Sequence, residues 1–195
     1  MKRLFDIIVS ALICLVFLPF GIIIALFIVL GSKGGVFYRQ ERIGKDGVPF
    51  RLFKYRTMRP DADKLGKLTV GMRDPRITRV GYFLRKYKLD EFPQFINVLL
   101  GHMSIVGPRP EVKEYVDLYT DEQRIVLSVK PGITDYASIE YFKENEILGK
   151  AEDPRKAYID EVMPAKIELN KKYIASPGIA HDIKIMWLTF KKIIS

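Results

Sequence analysis

Two adjacent carboxylates, Asp90 and Glu91, are the residues of this chain whose surroundings point most clearly to chemistry. They follow a basic run over residues 85–88, and Pro93 stands where a helix could begin. Free backbone N–H groups and the helix dipole at such a start favour a nearby phosphate. Carboxylates beside cations at this position suit a site that handles a phosphate and a hard metal ion.

The spacing of the two carboxylates indicates separate tasks. Neighbouring helical residues point about 100° apart, so Asp90 and Glu91 are expected to divide the work, one attacking and the other holding a metal. The competing interpretation is that both merely cap the helix, with Asp90 as its N-cap, a contribution of about 1 kcal/mol.

The N-terminal part of the chain is strongly apolar. Residues 7–30 form an uncharged run of 24 residues, long enough to cross a bilayer core of about 30 Å and too long for a cleaved signal peptide. Pro19 lies at its centre. It either kinks a spanning helix or marks the turn of a re-entrant helix whose two ends stay on one side. Positive charge on both flanks, at Lys2, Arg3 and Lys33, fits the second option without deciding it.

The charge is unevenly distributed. Residues 1–88 contain 18 Lys+Arg and 6 Asp+Glu, whereas residues 89–195 contain 14 and 17. A basic half directly after an apolar segment favours anionic lipid headgroups or phosphorylated substrates over nucleic acid. The chain has one cysteine and two histidines, which are too few for a disulfide framework or a Cys/His zinc site. An expected metal is therefore Mg²⁺ held by carboxylates.

Periodicity predicts a mainly helical α+β fold with a small β-hairpin. Asp46-Gly47 indicates a turn between strands over 36–38 and 50–55, and residues 59–72 are expected to form a polar loop or helix turn. Apolar spacing predicts one amphipathic helix over 80–88 and a second from Pro93, with these buried stripes: Val80, Phe83, Leu84 and Tyr87 in the first, and Phe92, Phe95, Ile96, Leu99 and Leu100 in the second.

The C-terminal half is predicted to contain helices over 111–128 and 154–173, with a strand over 136–139 between them. A last helix over 183–194 places its apolar residues on one face. With one tryptophan and a basic flank, this helix is expected either in the membrane interface or packed in the core.

The sequence closely resembles the bacterial sugar transferases, the small monotopic polyprenyl-phosphate phosphoglycosyl transferases. The resemblance covers nearly the whole chain and is carried by these motifs in order: Phe37-Tyr38-Arg39-Gln40-Glu41-Arg42-Ile43-Gly44, Lys54-Tyr55-Arg56-Thr57-Met58, Asp74-Pro75-Arg76-Ile77-Thr78-Arg79-Val80-Gly81, Leu89-Asp90-Glu91-Phe92-Pro93-Gln94, Met103-Ser104-Ile105-Val106-Gly107-Pro108-Arg109-Pro110 and Lys130-Pro131-Gly132-Ile133-Thr134.

The resemblance implies an architecture. Residues 1–32 would form a re-entrant membrane helix kinked at Pro19, and residues 33–195 a catalytic domain with interfacial helices on the cytoplasmic face of the bacterial inner membrane. Three positions depart from the family pattern. Leu18 replaces the serine before the kink proline, His102 replaces an aspartate, and Asp135-Tyr136 replaces a Gly-Trp pair.

The resemblance also implies a reaction. Sugar-1-phosphate would pass from a nucleoside diphosphate sugar, usually a UDP-sugar, to undecaprenyl phosphate with release of UMP, initiating assembly of a lipid-linked glycan. Asp90 would be the nucleophile that forms a covalent phosphosugar intermediate, and Glu91 would bind Mg²⁺. The expected phosphate- and nucleotide-binding residues are Arg109, Arg85, Lys88, Lys54, Arg56, Arg76 and Arg79.

Two other classes remain open at this point. One is a membrane-tethered scaffold that keeps the fold without catalysis, and the other is a tethered nucleic-acid binder. We expect inner-membrane lipids, but not nucleic acid, as partners. Whether the protein forms a homo-oligomer is left open.

Overall fold

The computed structural model describes residues 1–60, 62 and 74–194, so most of the predicted polar segment over 59–72 lies outside the described residues. The chain is mainly helical. Its α-helices are α1 (Lys2–Gly31), α2 (Arg79–Lys86), α3 (Gln94–Leu99), α4 (Lys113–Val116), α5 (Tyr136–Glu140), α6 (Glu144–Leu148), α7 (Pro154–Ala157), α8 (Met163–Ala175) and α9 (Ile179–Ile194). Its strands are β1 (Phe37–Ile43), β2 (Pro49–Tyr55), β3 (Ser104–Val106) and β4 (Gly132–Thr134).

The predicted apolar helix is present as α1, which continues through Pro19. Within the described residues, α1 is the helix that is long and apolar enough to cross a membrane. Only a narrow stripe of it is buried against the rest of the protein, at Asp6, Ser10, Gly21 and Ile28. Most of its large apolar side chains are exposed, which indicates that α1 is not an ordinary core helix.

Both ends of α1 are fastened to the rest of the protein. Near the N-terminus, Lys2 Nζ lies 2.5 Å from Asp182 Oδ2 in α9, and the buried Asp6 accepts a hydrogen bond of 2.9 Å from Ser104 Oγ in β3. At the C-terminus, the Arg56 guanidinium donates to the carbonyl oxygens of Ile28, Ser32 and Lys33. α1 also contacts the globular part in its middle, where the Phe17 ring stacks on Phe92.

The predicted hairpin is confirmed, with longer strands than expected. β1 and β2 pair antiparallel from Phe37 opposite Tyr55 to Ile43 opposite Pro49. Between them, Asp46 and Gly47 have φ values of 56° and 77°, the left-handed conformation that a tight hairpin turn requires and that Asp-Gly tolerates.

The helix predicted over 80–88 is confirmed as α2, where the Thr78 side chain accepts a hydrogen bond of 2.9 Å from Gly81 N. The predicted stripe is only partly right. Leu84 is buried, whereas Phe83 and Tyr87 are 54% and 41% exposed. Phe83 lines an apolar groove between α1 and α2 instead of packing in the core.

The second predicted helix is present as α3, but two expectations about it are wrong. Asp90 does not cap it, because it lies in a preceding 3₁₀ turn over Leu89–Glu91 and α3 has no side-chain cap. The buried face consists of Gln94, Asn97 and Val98, while Ile96 and Leu100 are exposed. Polar side chains take the inner face because Asn97 hydrogen-bonds to the backbone of β2.

Two predictions in the C-terminal half are also wrong. Residues 136–139 form helix α5 instead of a strand, because the Asp135 carboxylate accepts a hydrogen bond from Ser138 N and caps the helix. The strand lies earlier, at β4, which pairs parallel with β3. Residues 111–128 contain only the short α4 and a 3₁₀ segment over Gln123–Ser128.

The last two long helices of the chain are α8 and α9. The helix predicted over 154–173 is confirmed, running from α7 through a π-helical segment, Tyr158–Val162, into α8. α9 buries Asp182 and Ile185, while Trp187 and Phe190 are 55% and 54% exposed. Most of the predicted apolar face of α9 is therefore exposed, while Ile185 and Met186 pack in the core.

Candidate active site

The Glu91 carboxylate binds two cations that come from distant parts of the chain. Arg109 Nη1 lies 3.0 Å from Glu91 Oε2, and Arg109 Nη2 donates to Glu91 Oε1. Lys54 Nζ lies 3.2 Å from Glu91 Oε1. Lys54 belongs to β2, Glu91 to the turn before α3, and Arg109 to the loop after β3, so this ion cluster joins three elements.

These ion pairs control the protonation of Glu91. Burial by itself raises the pKa of Glu91, but the charges of Arg109 and Lys54 outweigh it and hold the pKa well below its usual range. Glu91 is consequently ionised at neutral pH, and its charge balances part of the surrounding positive charge.

Asp90 has a different environment, although it is the next residue. Its side chain is buried, with 6% of the residue exposed. Burial raises the pKa of Asp90 above the usual aspartate value, Glu91 adds to this, and the charges of Lys54, Arg85 and Lys88 act against it. Two neighbouring carboxylates whose pKa values move in opposite directions have the form expected of groups with different chemical roles.

Arg109 is positioned by close packing of two loops. Gly107 N donates to Thr134 O over 3.1 Å, and Gly132 N donates to Pro108 O over 2.9 Å. A Cβ atom on Gly132 would lie 2.1 Å from Gly107 N, which explains why both motifs carry glycine where the backbones meet.

Asp135 fixes the same loop from the other side. It is fully buried and accepts hydrogen bonds from Arg109 N at 3.1 Å and from Ser138 N at 2.6 Å. Asp135 therefore connects the start of α5 to the residue that binds Glu91. The sequence marked Asp135 only as a departure from the family pattern, and the aspartate itself was the signal, because Asp is favoured at helix N-caps.

A second ion cluster supports the loop next to Arg109. Arg42 Nη1 lies 3.0 Å from Glu111 Oε1, and the Tyr158 hydroxyl donates to Glu111 Oε2. The backbone of Ile43 bridges to that of Glu111, with a hydrogen bond of 2.9 Å. These contacts attach the loop to β1 and to the π-helical segment, and sequence reasoning did not find them.

Two more of the predicted basic residues lie near Asp90. The Arg85 Nε donates to Thr57 Oγ1 over 2.9 Å, and burial lowers the Arg85 pKa while Asp90 acts against this. Lys88 has a φ of 56°, and its Nζ lies 5.0 Å from the centre of the Phe142 ring. Lys54, Arg85, Lys88 and Arg109 are referred to below as the cationic cage.

The remaining predicted basic residues have other surroundings. Arg56 fastens the C-terminus of α1, and Arg76 pairs with Asp74 at 2.6 Å. Arg79 is exposed in the first turn of α2. The structure thus brings four of the seven predicted substrate-binding residues together around Asp90 and Glu91.

Comparison with known proteins decides the family. The family model described as bacterial sugar transferase matches residues 1–195, which is the whole chain. The chain belongs to the bacterial sugar transferase family. The resemblance carried by the sequence motifs is therefore confirmed.

Three curated relatives of this sugar transferase cover nearly all of its length. It is 39% identical over 196 residues to the UDP-glucose:undecaprenyl-phosphate glucose-1-phosphate transferase of Escherichia coli, covering 98% of this chain and 40% of that protein. It is 38% identical to the uncharacterized sugar transferase EpsL of Bacillus subtilis, covering 100% and 87%. It is 34% identical to the UDP-N-acetylgalactosamine-undecaprenyl-phosphate N-acetylgalactosaminephosphotransferase of Aeromonas hydrophila, covering 100% and 44%.

This sugar transferase therefore spans about 40% of the E. coli relative and most of the B. subtilis one. Within the described residues, no three or more His, Cys, Asp or Glu side chains are grouped so that they could hold a metal ion. Mg²⁺ usually takes one or two carboxylates together with substrate phosphates and water. The Glu91 carboxylate fits an ion that arrives with a diphosphate, provided that it gives up one of its two cations.

Proposed function

We propose that this sugar transferase moves a sugar-1-phosphate from a nucleoside diphosphate sugar, expected to be a UDP-sugar, to undecaprenyl phosphate. The observation that carries the proposal is the buried Asp90–Glu91 pair, with opposite pKa shifts, inside the cationic cage. The names of the E. coli and A. hydrophila relatives specify undecaprenyl phosphate as their acceptor. The product would be the first lipid-linked sugar of a bacterial surface glycan.

The proposed reaction has two phosphoryl-transfer steps. A carboxylate oxygen of Asp90 attacks the phosphorus that carries the sugar, and the bond from that phosphorus to the bridging oxygen breaks. UMP leaves with that oxygen, and Asp90 carries the sugar phosphate as a mixed anhydride. A phosphate oxygen of the lipid then attacks the same phosphorus, which restores the Asp90 carboxylate and forms the diphosphate-linked sugar.

The cationic cage supplies the electrostatic part of this chemistry. Arg109, Lys54, Arg85 and Lys88 would bind and neutralise the phosphate oxygens as charge develops on them. The charges of Lys54, Arg85 and Lys88 also favour the ionised form of Asp90. Glu91 would orient Arg109 and would hold Mg²⁺, which when bound neutralises charge on the diphosphate.

We extend the proposal to the membrane topology, with residues 1–32 as a re-entrant anchor and residues 33–195 as a catalytic domain on the cytoplasmic face of the inner membrane. The support is that both ends of α1 hydrogen-bond to the same globular part, Lys2 with Asp182 and Arg56 with the last carbonyl groups of α1. Because the globular part would lie on one side of the bilayer, both ends of α1 would lie on that side.

The surface around the site supports lipid contact. α2, α3 and α9 also expose large apolar side chains, among them Phe83, Ile96 and Trp187, and Lys191 Nζ lies 5.2 Å from the Trp187 ring centre. Aromatic rings with neighbouring cations are stable at the headgroup level. An apolar groove of about 300 Å³ lies between α1 and α2 and would take part of the isoprenoid chain. Its lining residue Leu84 directly precedes Arg85, which would bind a phosphate oxygen of the same lipid.

The test is a comparison of wild type with Asp90→Asn and Glu114→Gln, the latter a control for a surface carboxylate. The proteins are incubated with UDP-sugars, Mg²⁺ and undecaprenyl phosphate, while UMP release and intact mass are measured. Wild type and Glu114→Gln are expected to release UMP and, without lipid acceptor, to gain the mass of one sugar phosphate. Asp90→Asn is expected to do neither. Wild type without UMP release or adduct would instead support the non-catalytic scaffold.

A further inference from the structure

Gln94 has a buried amide without a hydrogen-bond partner. The residue is 0% exposed, and within the described part of the chain neither its Oε1 nor its Nε2 has a partner. Exchanging the two atoms by rotating the amide would not help, because both are unpaired. A buried polar group left this way destabilises the fold and calls for an explanation such as a ligand.

The neighbouring amide on the same helix shows that α3 can satisfy such groups. Asn97 lies three residues after Gln94 and is equally buried. Its Nδ2 donates to Arg51 O over 2.8 Å, and its Oδ1 accepts from Phe53 N over 2.9 Å. The unpaired state of Gln94 is therefore not a general feature of a polar inner face against β2.

The position of Gln94 connects it to the nucleophile. It lies four residues after Asp90 and three after Glu91. The turns before α3 are closed by i→i+3 hydrogen bonds such as Phe92 N to Leu89 O, and side chains three residues apart share a face in this 3₁₀ geometry. Gln94 therefore lies on the Glu91 face, and both Asp90 and Gln94 are buried. A phosphoryl group on Asp90 that is held by the cations around Glu91 would lie close to the Gln94 amide.

We propose that Gln94 Nε2 donates a hydrogen bond to the phosphoryl group that Asp90 carries in the covalent intermediate. This inference rests on the proposed function. Forming the intermediate brings new phosphoryl oxygens into a buried site, and the Gln94 amide is a neutral donor that has no other bond to break. Because the bond is absent in the free enzyme and present in the intermediate, it lowers the energy of the intermediate selectively.

The experiment uses Gln94→Met, which keeps the side-chain volume and removes both polar atoms. Asn97→Leu is the matched control, because it removes a buried amide of the same helix face that is fully hydrogen-bonded. For each variant, thermal unfolding is measured in detergent, and UMP release and the intact-mass adduct are measured with UDP-sugar. Gln94→Glu, which keeps the volume but replaces the donating NH₂ group by an oxygen, is assayed in parallel.

Gln94→Met is expected to unfold at the same temperature as wild type or higher, while its rate of adduct formation falls about 10- to 150-fold, the factor for one hydrogen bond to a charged group. Asn97→Leu is expected to unfold at a lower temperature, because it leaves Arg51 O and Phe53 N unpaired. Gln94→Glu is expected to lose adduct formation as Gln94→Met does.

Two results would overturn the inference. The first is a loss of thermal stability in Gln94→Met as large as that in Asn97→Leu, since the amide would then have a structural partner in solution. The second is an undiminished rate of adduct formation in Gln94→Met or Gln94→Glu. Either result leaves the proposed function standing, whereas a wild-type protein that forms no adduct contradicts the proposed function itself.

Discussion

Replacing Glu91 by glutamine tests whether this carboxylate holds the candidate site together without any metal. The substitution removes one negative charge and leaves Arg109 and Lys54, whose side chains are 29% and 18% exposed, without their counter-ion. Breaking a fully buried ion pair in this way costs about 3–5 kcal/mol. Partial exposure lets water screen the two cations, so we expect about 2–3 kcal/mol.

This loss is large enough to measure. For a chain of this size, 1 kcal/mol shifts the unfolding midpoint by about 2–4 °C, so Glu91→Gln is expected to unfold about 4–12 °C below wild type in a metal-free buffer. Glu114→Gln is the control, because its partner Arg155 is 64% exposed. Such surface pairs contribute about 0–1 kcal/mol, and the control should stay within a few degrees of wild type.

The pH dependence of this difference follows from the lowered pKa of Glu91. Burial opposes ionisation, but Arg109 and Lys54 keep the pKa in the folded protein well below that of the unfolded chain, which is about 4.3. Glu91 therefore contributes its full stabilisation above the unfolded value and loses it only as the pH falls through the folded value. The difference between wild type and Glu91→Gln should be constant from about pH 8 to 5 and shrink below about 4.

Equal unfolding midpoints of wild type and Glu91→Gln in metal-free buffer would refute this reasoning. They would mean that the ion pairs of Glu91 with Arg109 and Lys54 do not stabilise the fold. A difference that appears only after Mg²⁺ is added would show in addition that the carboxylate acts solely through the metal.

Two further predictions concern the nucleophile and the anchor. Burial raises the pKa of Asp90 and the charge of Lys54 opposes this, so Lys54→Met should move the acid limb of the kcat/KM profile to higher pH. An unmoved limb would exclude Lys54 as a source of that charge. The topology is tested in a Cys14→Ser background with one cysteine at either end of α1, in a tag before Met1 or as Gly35→Cys. Neither cysteine is expected to react with an impermeant maleimide applied to intact cells. Both are expected to react after permeabilisation. Labelling of one of them from outside would establish a spanning helix.

The elements that sequence reasoning predicted correctly are those whose signals are local. The long apolar run of α1, the Asp-Gly turn of the hairpin and the spacing of α2 each depend on a few neighbouring residues. The motif at Asp90 and Glu91 was equally local. Its cationic partners Lys54 and Arg109 could be named from family motifs, although they are 37 and 18 residues away from Glu91.

The errors arose where tertiary contacts override local preference. The apolar residues of α3 predict an apolar inner face, but Asn97 supplies the hydrogen bonds that the exposed backbone of β2 needs, so the polar side chains turn inward and Ile96 and Leu100 turn outward. Residues 136–139 have strand-like composition, yet the Asp135 cap makes them helical. The first outcome cannot be deduced without knowing which element lies opposite, whereas the second could have been inferred from an aspartate at the N-cap position.

The anchor and the active site are one connected structure, which gives α1 a role beyond attachment to the membrane. Asp6 accepts hydrogen bonds from Ser104 Oγ and Ile105 N in β3, the strand that leads directly into the Arg109 loop. In the middle of α1, the Phe17 ring stacks on Phe92, with 3.9 Å between centroids, and Phe92 directly follows Glu91. The helix thus contacts the elements on both sides of the Arg109–Glu91 pair. On the proposed function, a substrate phosphate confined to the headgroup plane would meet Asp90 at a depth fixed by α1.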